Sequence, residues 1–153
     1  MKRSYLLGLL SIFFIAGTVV GVFAVNRLPF VMAEMQNDPY ELILLDIDGS
    51  PISNFDWGIF RNGESRQFDC NLQYLGSKPG SVTWDSTDLS NEWSIEIWDF
   101  SHLKPRLWEA NNRIKFTPGE TCPLRIILIE NDAIPNKDYS FVLNFISLKS
   151  GKE

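Results

Sequence analysis

The chain has 153 residues and a formal net charge of −5, with 19 Asp and Glu side chains against 14 Lys and Arg. Nucleic-acid binding requires a basic face and adhesion to anionic lipid requires a basic patch, so this composition argues against both. The length and the 44% of hydrophobic residues are enough for one domain with its own core.

An uncharged apolar stretch, residues 4–25, dominates the N-terminal part of the chain. As a helix it would span about 33 Å, enough to cross a hydrocarbon core of about 30 Å. Lys2 and Arg3 precede it, which predicts a cytoplasmic N-terminus and an extracytoplasmic remainder. We therefore expect a single-pass protein of the cell membrane, in which residues 1–25 form the cytoplasmic tip and a transmembrane helix in contact with membrane lipid. The alternative is a cleaved signal peptide, because a loose small-residue cleavage pattern ends at Ala24.

Residues 26–39 mix apolar and polar side chains and include Pro29, Asp38 and Pro39. This composition predicts a short spacer that lifts a domain off the membrane.

Alternation of apolar and polar residues with a period of two begins at Tyr40 and predicts strands, with no helical pattern of useful length. Breaks rich in Gly, Pro, Asn and Asp separate the runs. Seven to eight short strands so spaced predict an all-β fold, an immunoglobulin-like antiparallel β-sandwich over residues 40–150. Seven predicted strands cover 40–47, 52–60, 66–74, 81–85, 92–100, 121–130 and 139–149, and two shorter runs, an edge strand near 107–108 and residues 113–116, are the candidates for the eighth.

Two cysteines occupy inward positions of predicted strands. Cys70 shares a strand face with Phe68, and Cys122 shares one with Leu124, so parity points both thiols into the core. In an extracytoplasmic chain this pair predicts an inter-sheet disulfide. Closing a loop of about 52 residues would contribute roughly 4 kcal/mol in the chain-entropy account. The alternative is two buried free thiols.

The chain contains five tryptophans, which divide by position. Trp57, Trp84 and Trp93 have inward parity and are predicted to lie in the core. Trp98 faces away from the apolar side of its strand, and Trp108 lies in the least regular segment. We expect Trp98 and Trp108 to form an exposed contact for a protein or a sugar, because aromatic side chains dominate such surfaces.

The residue types needed for common active sites are scarce. His102 is the sole histidine, whereas copper and zinc sites use several His or Cys ligands, and no G-x-S-x-G turn supplies a nucleophilic serine. The pairs Asp46 with Asp48 and Asp132 with Asp138 lack the Asp-x-Asp-x-Asp-Gly pattern of a calcium loop and are interpreted as solvated strand ends. We therefore predict no catalytic residue, no metal or other cofactor, and no enzyme activity.

Two short motifs carry a family resemblance. Asp56–Ile59 reads Asp-Trp-Gly-Ile, and Thr117–Glu120 reads Thr-Pro-Gly-Glu ahead of an aliphatic strand and a closing Phe-x-Leu-x-Phe run. In this order they resemble small archaeal membrane-anchored proteins with one immunoglobulin-like or fibronectin-like sandwich outside the cell, over about residues 40–148. The resemblance implies that the motifs are structural, at positions Trp57, Gly58, Pro118 and Gly119.

Together these patterns predict a membrane-anchored cell-surface module for protein interaction or surface structure. Its expected partners are other surface proteins or further copies of the chain, and no nucleic acid. One alternative is a secreted, self-assembling filament or matrix subunit in which residues 26–39 and the strand 40–47 are donated to an open sheet edge of another copy. A second alternative is a carbohydrate-binding domain.

Overall fold

The computed structural model describes residues 28–37 and 41–148, which form ten strands. The predicted transmembrane stretch 4–25 lies outside these residues, and within them no helix is long and apolar enough to span a bilayer. The strands are β1 (Phe30–Asn37), β2 (Leu42–Leu45), β3 (Asn54–Ile59), β4 (Ser65–Tyr74), β5 (Gly80–Thr87), β6 (Trp93–Asp99), β7 (Arg106–Leu107), β8 (Ile114–Phe116), β9 (Thr121–Glu130) and β10 (Asp138–Leu148).

The strands form two five-stranded sheets. Sheet A has the order β3-β1-β10-β5-β8, and sheet B has the order β2-β4-β9-β6-β7. Neighbouring strands are antiparallel except β1 and β10, which run parallel from the Phe30–Asp138 pair to the Asn37–Phe145 pair. The predicted all-β, two-sheet fold is confirmed, with ten strands in place of seven to eight.

The core lies between the sheets and is built by alternate residues of each strand. Along β9 and β10 every second side chain is buried, as the sequence periodicity predicts. Each large apolar side chain removed from water contributes about 1.5–3 kcal/mol to folding. The predicted core tryptophans, Trp57, Trp84 and Trp93, are all buried.

The prediction of a spacer over residues 26–39 is wrong for residues 30–37, which form β1, an interior strand of sheet A between β3 and β10. Val31, Ala33 and Met35 are buried at every second position. Pro29 directly precedes the strand, where its missing N–H costs no ladder hydrogen bond. The N-terminal strand is therefore an integral part of the domain.

The Asp-Trp-Gly motif is a β-bulge on the edge strand β3. Val31 pairs with Gly58 and Met32 pairs with Asp56, so Trp57 is the extra residue on its strand. Gly58 adopts a φ of 74°, which glycine accepts without strain, and its N–H donates to Asp56 Oδ1 over 2.7 Å. The bulge accompanies a Trp57 side chain that lies in the core.

Arg66 on β4 covers part of the outer edge of β3. Its guanidinium donates to the carbonyl oxygens of Trp57 over 2.7 Å and Ile59 over 2.6 Å. The same group lies over the Phe60 ring, 4.8 Å from its centroid, and pairs with Glu64 over 2.8 Å. Because open carbonyls on an edge strand invite pairing with another chain, this contact closes two of those positions.

The Thr-Pro-Gly-Glu motif forms the turn between β8 and β9. The N–H of Glu120 donates to the carbonyl of Thr117 over 3.0 Å, and Gly119 has a φ of 80°. Pro in the second position and a positive-φ Gly in the third are the residues that a type II turn favours. The Glu120 carboxylate also accepts from the Thr117 N–H over 2.7 Å, which fixes the turn.

Tyr74 is the last residue of β4, and its side chain packs against the backbone of the loop that follows. Its hydroxyl donates to the carbonyl of Lys78 over 2.9 Å, and its ring lies beside Phe116. A Cβ added at Gly76 would lie 2.2 Å from the Tyr74 hydroxyl oxygen, and one added at Gly80 would lie 2.4 Å from it. Both glycines are therefore required by the close approach of this buried ring.

We expect Gly76→Ala to lower the free energy of unfolding of the full chain by about 1–3 kcal/mol, because the ring must leave its position to admit the methyl group. Denaturant unfolding measures the change. Ser77→Ala, at an exposed neighbouring position, is the control and should change stability by less than about 0.5 kcal/mol. Equal stability of the Gly76 variant and the native chain would contradict this packing.

Candidate functional site

The structure does not place the two cysteines as an inter-sheet disulfide. Both lie in sheet B, on the neighbouring strands β4 and β9, and both are free thiols. Cys70 pairs with Leu124 and Cys122 pairs with Leu72, so the two cysteines are diagonal neighbours. Diagonal Cα atoms are about 7–8 Å apart and their Cβ atoms somewhat less, whereas a disulfide needs Cβ atoms about 3.5–4.5 Å apart. The predicted inter-sheet bridge is wrong. The alternation of residues along a strand shows which side chains point into the core, but it does not show which of the two sheets the strand joins.

Cys122 belongs to a small polar cluster at the end of β6. Its thiol donates to Asp99 Oδ1 over 3.1 Å, and the N–H of Ser101 donates to the same oxygen over 2.7 Å. Burial alone raises the pKa of Asp99, but these hydrogen bonds outweigh it and hold the pKa below its usual value. Burial, reinforced by the adjacent carboxylate, raises the pKa of the Cys122 thiol. The thiol therefore stays protonated as a hydrogen-bond donor and is a poor nucleophile.

His102 lies on the exposed side of this cluster. Its Nε2 atom is 3.7 Å from Asp99 Oδ2, and its side chain is about half exposed. The contact joins the loop after β6 to the buried carboxylate.

Trp108 is buried, so its prediction as an exposed contact is wrong. Its N–H donates to the carbonyl of Ile97 over 2.7 Å, and its carbonyl accepts from Trp84 Nε1 over 2.8 Å. Its own Nε1 donates to the carbonyl of Asn112 over 2.9 Å, and its ring packs near Phe145. The residue inserts into the core at the point where the chain passes from sheet B to sheet A.

Around this anchor lies an exposed stretch, residues 100–113, which we call the tip segment. It joins the end of β6 to the start of β8 and includes the two-residue edge strand β7. Every residue of the tip segment except Trp108 is exposed. Leu103 is fully exposed, and Phe100 and Leu107 also present apolar surface.

The tip segment has the opposite charge to the rest of the domain. It contains three bases, Lys104, Arg106 and Arg113, against one acid, Glu109. The other described residues include 16 acids and 6 bases. Within the described part of the chain none of the three tip bases forms an ion pair. The tip segment is therefore a basic surface with exposed apolar side chains, whereas the rest of the described domain is acidic.

A cavity of about 300 Å³ lies against the tip segment. Its lining combines two bases, Arg106 and Arg113, and two acids, Asp99 and Glu109, with aliphatic side chains such as Leu107. The cavity gives the tip segment a concave side, where guanidinium groups and aliphatic side chains meet. Because acids and bases both line the cavity, its lining does not by itself select a ligand of one charge.

Trp98, the other predicted contact residue, is half-buried on the outer face of sheet B and pairs with Leu107 of the tip segment. Its cross-strand neighbour on the other side is Arg125, whose guanidinium lies 5.0 Å from the Phe100 ring centroid. Arg125 also makes two hydrogen bonds to Asp69, of 2.6 and 2.9 Å, and these lower the pKa of Asp69. Trp98 therefore extends the tip segment onto sheet B, beside a paired and so neutralised arginine.

The predicted carboxylate pairs occupy turns. Asp46 Oδ1 accepts from the N–H groups of Asp48 and Ser50, over 2.9 and 2.7 Å, and so caps a tight turn. Asp132 and Asp138 lie at either end of the exposed loop between β9 and β10. Across residues 28–37 and 41–148 no three His, Cys, Asp or Glu side chains lie close enough together to hold a metal ion.

No protein-family model and no curated protein matches the chain. Among solved structures, the N-terminal domain of PorA is similar at 10% sequence identity, over 73% of this chain and 100% of that chain, with a TM-score of 0.30. A likeness at this level adds nothing to the description of the fold or the site.

We expect both thiols to be free and protected in the folded chain. Burial, aided by the neighbouring charge of Asp69, raises the pKa of Cys70 to about 12, so alkylation at neutral pH should be negligible until the chain unfolds. Intact mass after iodoacetamide treatment without reductant should show no added group in buffer and two in denaturant. Addition in denaturant only after reduction would show a disulfide and contradict the structure.

Proposed function

We propose that the protein is a single-pass surface module, anchored in the membrane by residues 4–25, whose immunoglobulin-like sandwich binds another macromolecule through the tip segment. The proposal includes an extracytoplasmic domain without enzyme activity, of the kind that the resemblance to archaeal membrane-anchored proteins implies. Three features of the described residues support it, and they concern the topology, the direction of the tip segment and its surface.

The sheet orders support an immunoglobulin-like topology. Immunoglobulin constant-type sandwiches have sheets in the orders ABED and CFG. Here β2-β4-β9-β6 takes the place of ABED, and β5-β10-β1 takes the place of CFG. The seventh position is thus filled from the N-terminus by β1, which runs parallel to β10, instead of by a final C-terminal strand.

The tip segment lies at the end of the sandwich opposite the start of β1. Phe30 pairs with Asp138, and the neighbouring Tyr139 ring contacts Trp93, so β1, β10 and β6 all start at one end. The seven residues of β6 advance about 23 Å before the tip segment begins. An anchor that precedes β1 would therefore hold the tip segment away from the bilayer.

The observation that carries the proposal is that the tip segment, held by Trp108, combines exposed Leu103 and Leu107 with three bases that form no ion pair to any described residue. Isolated exposed leucines are common, but an apolar patch rimmed by charge marks an interaction site. The alternative of sugar binding through Trp98 and Trp108 loses support, because the Trp108 ring is buried.

We expect Leu103→Ser with Leu107→Ser to abolish partner cross-linking without affecting membrane attachment. Cells expressing the full chain are treated with a cross-linker, their membranes are washed with alkaline carbonate, and the retained protein is sized on a gel. Ile47→Ser with Ile134→Ser, two exposed apolar residues away from the tip segment, is the matched control and should keep the cross-linked species. Release of the protein by carbonate would contradict the anchor, and equal cross-linking by both variants would contradict the role of the tip segment.

A second candidate function is self-assembly by strand donation, and the position of β1 favours it. β1 fills the seventh-strand position and is joined to the rest of the domain only through its C-terminal end. A strand placed in this way is the kind of element that copies of a chain exchange. Val31, Ala33 and Met35 would then fill the same core positions in a neighbouring molecule.

An engineered disulfide distinguishes donation from self-pairing. Glu34 and Val142 are register partners of β1 and β10, so Glu34→Cys with Val142→Cys places two thiols side by side. Oxidation should cross-link separate chains if β1 is donated, and should close a loop within one chain if it is not. Asp48→Cys with Asp132→Cys, on separate exposed loops, is the control for random contact. Exclusively intramolecular bonding in membranes would rule this candidate out.

A further inference from the structure

We propose that the partner of the tip segment is a second copy of this chain, and that the tip segment of one molecule docks on the outer face of sheet A of the next. This inference rests on the proposed function, since it names the partner of the same surface. It follows from the charge and the exposed apolar side chains of that face.

The outer face of sheet A is acidic, and within residues 28–37 and 41–148 four of its five strands contribute no base to it. Among the described residues, β3, β1, β10 and β5 contain no Lys, Arg or His. Lys115 lies on the neighbouring edge strand β8, and Arg66 of sheet B reaches the open edge of β3, where its guanidinium donates to two backbone carbonyls. Glu34, Asp56 and Asp85 lie at outward positions on three of these strands. We call this surface the acidic face.

The hydrogen-bond donors to these three carboxylates are neutral groups, so these contacts do not offset the negative charge. Glu34 accepts from Gln36 Nε2 over 3.0 Å, and Asp85 accepts from Asn144 Nδ2 over 2.7 Å. The Asp56 carboxylate accepts from the backbone of the bulge. A surface with several uncompensated negative charges attracts a basic partner and orients it as it approaches.

The acidic face also presents apolar side chains. Met32 is 43% exposed and Ile146 is 37% exposed, with the half-buried Val142 between them on the sheet. A shallow cavity of about 160 Å³ lies between Met32 and Val142 and is bordered by Glu34. Leucine side chains on a basic segment match this surface in polarity and in charge.

The part of the tip segment that carries Leu103, Lys104 and Arg106 pairs only with sheet B, through β7, whereas the far end of the segment runs along β5, where the Asn111 N–H donates to the Trp84 carbonyl. The tip segment leaves sheet B beyond β6, and its Leu103 is fully exposed to solvent. Contact between this basic and apolar part of the tip segment and the acidic face therefore requires two molecules. Because the two surfaces differ, the contact is heterologous and builds a ring or an open chain of copies in place of a symmetric dimer.

Two charge-reversed variants of the full chain, purified in detergent micelles, test this contact. The tip variant is Lys104→Glu with Arg106→Glu, and the face variant is Glu34→Lys with Gln36→Lys. All four residues are exposed, and neither substitution removes a core contact. In sedimentation velocity at low salt, each variant alone should associate at least about tenfold more weakly than the native chain, because like charges oppose each other.

An equimolar mixture of the tip variant and the face variant should recover association, because the acidic tip now meets a basic face and the acidic face meets a basic tip. Asp48→Lys with Asp132→Lys changes the net charge by a similar amount away from the acidic face, and should associate like the native chain. A mixture that stays monomeric, or equal weakening by this control, would overturn the inference. The proposed function would then stand or fall on the separate cross-linking test with Leu103 and Leu107, which reports any partner.

Discussion

Burial of Trp108 is the constraint on which the candidate site depends. Its backbone is tied to Ile97 and Trp84, and its ring occupies the core beside Phe145. The tip segment contains only two residues of regular strand, so without Trp108 it would have to become ordered on binding. Ordering costs about 1–2 kcal/mol of conformational entropy per residue. Because burial of Trp108 already orders the segment when the chain folds, the exposed residues on either side of it are held in one arrangement before any partner binds.

The edge strands of both sheets are short or partly covered, so they offer little open backbone for pairing with another chain. β3 carries a bulge at Trp57, and Arg66 occupies two of its open carbonyl groups, so the longest edge strand is partly closed. The edge strands β7 and β8 have two and three residues, too short to template a new strand well. On the fourth edge strand, β2, the Leu42 and Leu44 carbonyls already accept hydrogen bonds from Asn37 Nδ2 and the Ile52 N–H. The exposed apolar side chains and bases of the tip segment, and the acidic face opposite in charge, are the surfaces through which we propose that copies of the chain contact each other.

Periodicity predicted most of the strands, because an inward-facing apolar residue at every second position is a local property of the sequence. β1 was missed, although Val31, Ala33 and Met35 carry the same alternation, since flanking prolines suggested a spacer. Its parallel pairing with β10 is set by tertiary packing and has no local signal. Parity correctly placed Cys70 and Cys122 inward, but it does not say which sheet a strand joins. Trp108 was misplaced for a related reason, because an irregular segment gives no sign that it crosses between sheets.

Hydrogen–deuterium exchange of the full chain tests most directly the central claim that the tip segment is a preformed surface. The amides of Trp108 and Asn111 donate to the carbonyls of Ile97 and Trp84, so they should exchange slowly, while the exposed amides of residues 102–104 should exchange fast. Equally fast exchange at Trp108, Asn111 and residues 102–104 would show that the segment is not held, and would contradict the account.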